Sequence, residues 1–171
     1  RLQTHPEEVH TLDEAAVLEF IDAADVAARK RYAPDICELR AESFELSQRV
    51  NYVDDFLPPA QALIGKKLFC REAGKFATLR QYSLVRDSLE ISVASDGQTA
   101  TVEASYTEKM PYYEEGIPTG AGLDMYYQIQ IVESESTSEV GIEDGKLKFL
   151  STDADLTIEL VPKAEEPLPY S

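Results

Sequence analysis

Residues 89–106 read LEISVASDGQTATVEASY, and this stretch decides the fold. Leu89, Ile91 and Val93 alternate with polar residues on the way in, and Ala100, Val102, Ala104 and Tyr106 alternate on the way out. Between them sits Asp96-Gly97, a pair suited to a type I′ turn, which needs positive φ at both central residues. The stretch predicts an antiparallel hairpin with one apolar face. Upstream, Thr78–Ser95 is too long for one flat strand, and its phase slips between Tyr82, Leu84 and Leu89, Ile91, Val93. A bulge near Val85–Ser88 would absorb the slip and bend the strand. Downstream, a second meander is expected from Leu123 to about Val161, with another Asp-Gly at Asp144-Gly145. The return strands are expected at about 98–109, 123–137, 140–150 and 155–161. The glycine-rich loop Pro111–Gly122 reads as a mobile lip; it has no Gly-Lys-Ser/Thr and no helix after it, so it is no phosphate loop.

Before residue 78 the period is mostly helical. Residues 1–10, with Pro6, His5 and His10, read as a poorly ordered arm. Thr11-Leu12-Asp13-Glu14 has the form of a capping box. Leu12, Ala16, Val17, Phe20, Ile21, Ala24 and Ala28 then follow helical spacing to about residue 30, with Asp25 placed largely off that face. Pro34 starts a short helix to about Arg40. Glu42 to Gln48 alternates and reads as a strand with Phe44 and Leu46 on one side. Pro58-Pro59 predicts a third helix carrying Leu63, Ile64, Leu68, Phe69 and Ala73, with Gly74 as its stop. The tail Pro162–Ser171 reads as loose. The prediction is an α+β domain over residues 11–161, three N-terminal helices packed on a strongly curved antiparallel sheet.

Length and charge narrow the function classes. The chain has 171 residues, which suits one domain. It carries 16 basic against 32 acidic residues, a net charge of −16. A duplex presents one phosphate charge per ~1.7 Å, so nucleic acid is excluded as a direct partner of this surface, and anionic membranes are disfavoured likewise. No run of ~18 apolar residues is present to span a membrane. The sequence starts at Arg1 without an initiator Met, as a processed export signal or trimming would leave it. A periplasmic or secreted location is the expectation, a cytoplasmic one the alternative. Cys37 and Cys70 are too few for a disulfide framework; one bridge and two buried thiols are both open readings.

The order of elements resembles the nuclear transport factor 2-like (SnoaL-like) α+β cone, a cystatin-like arrangement. Tyr32-Ala33-Pro34-Asp35-Ile36-Cys37-Glu38-Leu39 through Glu45 is similar to that family's passage from short helix into first strand. Asp96-Gly97-Gln98-Thr99-Ala100-Thr101-Val102 is similar to its central hairpin. Glu143-Asp144-Gly145-Lys146-Leu147-Lys148-Phe149 is similar to its late strand entry, with Leu147 where tryptophan is usual. The resemblance implies a pocket inside the cone, lined by helix one and the inner strand faces. Family enzymes work there with a Tyr, Asp or His from helix one and from those strands. A scytalone-dehydratase type needs pocket histidines, and the only histidines here precede helix one. A ketosteroid-isomerase type needs a carboxylate base with a Tyr/acid pair, for which Glu42 or Glu45, Tyr106 and Glu108 have the right chemistry.

The candidate ligand-binding residues are Phe20, Ala24, Tyr82, Tyr106, Glu108 and Tyr127. Alternation from Ala100 puts Glu108 on the core face, where desolvation would raise its pKa; a fray at Thr107 would instead turn it to water. Tyrosines suit pocket walls because they pair an apolar body with a polar tip. Tyr127 shares its parity with Leu123, Met125, Ile129 and Ile131 and is expected inward. Tyr126 is then expected on the outer sheet face with Gln128 and Gln130, where members of this fold often dimerise. Asp153-Ala154-Asp155 lacks the glycine and glutamate of a calcium loop. Asp54-Asp55, Glu114-Glu115 and Glu165-Glu166 read as solvated charge. No catalytic set, metal site or cofactor is assigned. The expected function is binding of a small neutral or cationic molecule in the cone. The alternatives are an isomerase or lyase using Glu108 with Tyr106, and a homodimeric interaction module using the outer sheet face.

Overall fold

A computed structural model describes residues 8–170. Helix α1 (Glu14–Lys30), helix α2 (Ala33–Glu38) and helix α3 (Lys66–Phe76) pack against a six-stranded sheet. Its strands are β1 (Arg40–Tyr52), β2 (Ala60–Gly65), β3 (Ser83–Val93), β4 (Thr99–Tyr112), β5 (Gln128–Glu143) and β6 (Lys146–Pro162), in the order β2-β1-β6-β5-β4-β3. The α+β architecture is the expected one. All neighbours run antiparallel except β1 and β6, which are parallel, so the sheet is mixed. The bulge expected in the first long strand is present as a register shift between Arg86 and Ser88.

Local chemistry differs from the sequence reading at several points. The N-cap of α1 is Asp13, not Thr11: Asp13 Oδ1 accepts from the Ala16 N–H at 2.7 Å. Leu12 just before the cap and Val17 in the second turn join one core cluster, a hydrophobic staple that fixes the entry angle. Pro58-Pro59 does not open a helix. Ala60–Gly65 pairs along the β1 edge, so backbone pairing overrides local propensity, and α3 starts only at Lys66. Gly74 lies inside α3 rather than ending it. The breaks expected near residues 138–139 and 151–154 do not exist; β5 and β6 are each continuous.

The two hairpin turns also differ. At Asp144-Gly145 both residues have positive φ (52° and 73°), as a type I′ turn requires. At the other turn only Gly97 does (φ 69°); Ala94 O accepts from Gly97 N–H at 2.9 Å, a wider turn closed by a left-handed glycine. The chain before α1 crosses both turns. Val9 N–H donates to Gly145 O at 2.8 Å and Leu12 N–H to Gly97 O at 2.7 Å. A Cβ at Gly145 would meet Glu8 Cγ at 2.9 Å, and one at Gly97 would meet Thr11 Cβ at 3.3 Å. Most of the stretch read as an arm, including His5 and Pro6, lies outside the described residues.

The tail read as loose is docked. Lys163 N–H donates to Tyr127 O at 2.9 Å, Gln81 Nε2 donates to Leu168 O at 3.2 Å, and Gln81 bridges to Tyr170. Leu168 is buried with Tyr126 and Ile129 on the outer side of the sheet. Glu166, read as solvated charge, pairs with Lys109. Cys37 and Cys70 form a disulfide joining α2 to α3, with Cα atoms 5.4 Å apart, inside the ordinary range.

Candidate functional site

The sheet registers lay out the inner face as rows running β3-β4-β5-β6-β1. Nearest the hairpin turns stand Val93, Ala100, Val140, Phe149 and Arg40. The next rows are Ile91, Val102, Ser138, Thr152, Leu46 and then Leu89, Ala104, Ser136, Ala154, Gln48. Beyond them come Arg86, Tyr106, Ser134, Leu156, Val50 and finally Leu84, Glu108, Val132, Ile158, Tyr52. The first row is closed by Phe20 of α1, whose ring centre is 4.8 Å from that of Phe149. The middle rows carry small and polar side chains opposite α1. There Ser134, Ser136, Tyr106 and Gln48 are only half-buried, so the floor of the concavity is reachable.

Two hydrogen-bonded groups stand on this floor. In the first, Asp25 of α1, with 7% of its side chain exposed, accepts from Tyr106 Oη at 2.6 Å and from Arg86 Nη1 at 2.7 Å. Asp22 takes a further bond from Arg86 at 3.0 Å. Burial works against the Arg86 charge, but Asp22 and Asp25 outweigh it and raise its pKa. Burial, then the bond to Asp25, raises the Tyr106 hydroxyl. Asp25 is therefore matched, its lone pairs occupied by a cation and a phenol.

The second group is Glu108 with Tyr82. The Tyr82 hydroxyl donates to Glu108 Oε2. Among the described residues Glu108 makes no ion pair and Oε1 takes no hydrogen bond. Leu84 and Val132 flank it across the ladder. Burial pushes the Glu108 carboxyl above its ordinary value, and the Tyr82 bond opposes this only in part. Glu108 is only half-buried, so its side chain remains reachable from the inner face. Tyr82 is raised by burial and then by Glu108, and the Arg31 guanidinium sits 5.0 Å from its ring centre.

Of the six expected residues, the structure brings Tyr82 and Glu108 into contact and sets Tyr106 on the neighbouring inner row. Phe20 is core and Ala24 is packed half-buried beside it. Tyr127 is not inward: it is 81% exposed, whereas Tyr126 is 4% exposed. The parity argument fails because Ile129 and Ile131 face the docked tail, on the side opposite Val132. Tyr127 lines an open outer groove of about 580 Å³ with Gln81, Tyr126, Lys163 and Leu168. Glu42 and Glu45, the other carboxylates considered, are exposed, Glu42 pairing with Lys66 at 3.0 Å. Asp153 and Asp155 clamp Arg49 on the outer face at 2.6 Å each. Asp25, Arg86 and Arg40 escaped the sequence reading. Asp25 stands one helical turn after Ile21, at the margin of the apolar stripe, and that position was the available signal.

No family model and no curated protein matches the chain. Solved structures do. A putative scytalone dehydratase from Novosphingobium aromaticivorans aligns over 84% of this chain and 83% of its own at TM-score 0.60 and 17% identity. A nuclear transport factor 2-like protein of unknown function from Pseudomonas putida aligns over 85% and 89% at TM-score 0.57 and 11% identity. A ketosteroid isomerase-like protein from Erwinia carotovora aligns over 85% and 98% at TM-score 0.55 and 10% identity. At such identities the likeness speaks to fold, which does not choose among activities. Three helices on an open mixed sheet, with β1 running parallel to β6 and an inner concavity facing α1, are the nuclear transport factor 2-like (SnoaL-like) fold.

Proposed function

We propose that this protein binds a small molecule in the inner concavity, between α1 and the middle rows of the sheet, with Glu108 and Tyr82 as its polar anchor. The observation that carries the reading is Glu108: a desolvated carboxyl with one oxygen free of any partner among the described residues, on an otherwise apolar row. That oxygen is open to water rather than sealed, so a ligand donor can reach it and replace water there. A neutral donor or an amine fits that oxygen. Phe20 and Ala24 supply the helix wall, Tyr106 a second hydroxyl, and Tyr127 belongs to the outer groove instead. A ligand-stabilisation screen by thermal shift on the wild type, Glu108→Gln and Tyr82→Phe tests this. Hits with a donor group are expected to lose their effect in both variants; equal shifts in all three proteins would exclude the anchor.

A second reading, proton transfer in the manner of an isomerase or lyase, is favoured by the same carboxyl, because a raised pKa places it nearer to neutrality for acid or base work. Asp25 is less suited as base, since Arg86 and Tyr106 already hold it. Turnover abolished by Glu108→Gln with binding retained would separate catalysis from binding. The disulfide between Cys37 and Cys70 supports a periplasmic or secreted location, because such bridges persist in oxidising compartments. A homodimer through the outer face is less favoured. The tail occupies one end of that face, and Glu103, Glu133, Glu135 and Glu139 line its exposed middle, where a symmetric partner would oppose like charges.

A further inference from the structure

The hairpin-end row of the inner face holds a cation that the fold leaves without a counter-ion. Arg40 begins β1 and turns its guanidinium inward among three phenylalanines. Its Cζ is 4.6 Å from the ring centres of Phe69 and Phe149 and 5.6 Å from that of Phe44. It makes one hydrogen bond among the described residues, from Nη1 to Ile36 O at 3.0 Å. Its Nε is sealed from solvent and has no partner. Other arginines show the contrast: Arg86 meets Asp22 and Asp25, Arg49 meets Asp153 and Asp155, and Arg80 meets Asp124. Arg40 has no carboxylate within ion-pair distance among the described residues.

Ring faces offset part of the cost of burying a guanidinium, but they leave its Nε–H donor without an acceptor. A planar guanidinium matches a carboxylate through two parallel bonds, better than it matches a compact, strongly hydrated anion. The aromatic walls select an apolar body behind that anion. We propose that Arg40 is an anion-recognition residue at the hairpin end of the inner face, and that the molecule bound there carries a carboxylate on an apolar, ring-sized body. This rests on the reading that the concavity binds a small molecule. It adds to that reading an anion site at the hairpin end, separate from the Glu108 anchor: Ala100, in the row of Arg40, and Glu108 stand eight residues apart on β4, about 26 Å along the strand, farther than one ring-sized molecule reaches. The net charge of −16 does not oppose this. Exposed charges are screened beyond about 10 Å at ordinary ionic strength, so the local cation governs the contact.

The test uses 4-hydroxyphenylacetate, its neutral amide, and tyramine, which share a ring and a phenol and differ in charge. The readout is the Nε–H resonance of Arg40 in nitrogen-15-labelled protein, assigned by its loss in Arg40→Lys. The carboxylate is expected to move that resonance saturably while the amide and tyramine leave it in place. Arg40→Lys is expected to weaken the carboxylate by at least about tenfold, as the fork geometry is lost. An Arg40 resonance unmoved by the carboxylate up to its solubility, or moved equally by the amide, overturns the proposal, whether or not the variant folds. Glu108→Gln separates the two readings. If tyramine loses its thermal shift in Glu108→Gln while the carboxylate moves nothing, the Glu108 anchor stands and the Arg40 proposal falls. If the carboxylate moves Arg40 in wild type and in Glu108→Gln alike, Arg40 stands without that anchor.

Discussion

The inner face of one sheet contains two different environments. At the hairpin end, Val93, Ala100, Val140 and Phe149 meet Phe20 and Val17 in a dry cluster, where Val17 and Val140 are fully buried. On β5 and β6 the hydroxyls begin in the next row: Ser138 bonds Thr152 at 2.8 Å, then come Ser136 and Ser134, then Tyr106 and Glu108 on β4. The same strands thus change from close packing to a polar, partly open floor within a few residues. Interiors at crystal-like density gain stability from every contact, whereas a concavity forgoes contacts on one side and needs its polar groups matched. Stability is concentrated at the hairpin end, and chemistry is left to the middle.

The sharpest way to break this comparison is a matched pair of truncations. Phe20→Ala should cost about 3–5 kcal/mol in denaturant unfolding, while Ser134→Ala should stay within about 0.5 kcal/mol. Comparable losses would show that the middle rows are packed core after all. Next in size is the bridge between α2 and α3. Cys37→Ser with Cys70→Ser should lower stability by about 2–4 kcal/mol without reductant, and dithiothreitol should then add nothing. Asp25→Asn follows, at about 1–2 kcal/mol: it leaves Arg86 with the more exposed Asp22 as its remaining carboxylate, and Arg86 keeps some contact with water. A loss shared by Arg86→Met, with no further loss in the double variant, would confirm the coupling.

The smallest effect is the most informative about the floor. Burial raises the Glu108 pKa in the folded protein, so the folded state binds its proton more tightly than the unfolded state does. Glu108 therefore favours folding below the ordinary carboxyl value of 4.5, and that advantage is lost as pH rises through its folded pKa. Glu108→Gln should equal or exceed wild-type stability at neutral pH by about 1 kcal/mol and lose that margin on acidification below 4.5. A margin independent of pH would mean that Glu108 is solvated.

What the sequence made legible follows the same division. The apolar alternation of Leu89, Ile91, Val93, Ala100 and Val102 was readable because it packs, and it located the first hairpin and the bulge, whereas the expected strand 140–150 ran through the second turn. The breaks expected in β5 and β6 fell at residues 138–139 and 151–154, in the polar stretches Glu133–Glu139 and Ser151–Asp155, where hydropathy carries no period. Those false breaks lie on the rows of the candidate site, where local patterning is expected to yield to function. Glu108 was legible through strict alternation. Asp25 was hidden in a helix whose opposite side is also acidic, and Arg40 by its place at a helix-to-strand junction. Tyr127 was misplaced because Ile129 and Ile131 looked like core residues while they pack beneath a tail that shows no periodic pattern.

That tail sets a practical boundary for anyone expressing or trimming the chain. A cut after Val161, where strand periodicity ends, would uncover Ile129 and Tyr126 on the outer face and remove the partner of Gln81. The remaining sheet would present a sticky apolar strip beside its loop end. Fragments ending there should precipitate or self-associate, while those keeping Leu168 should stay in solution.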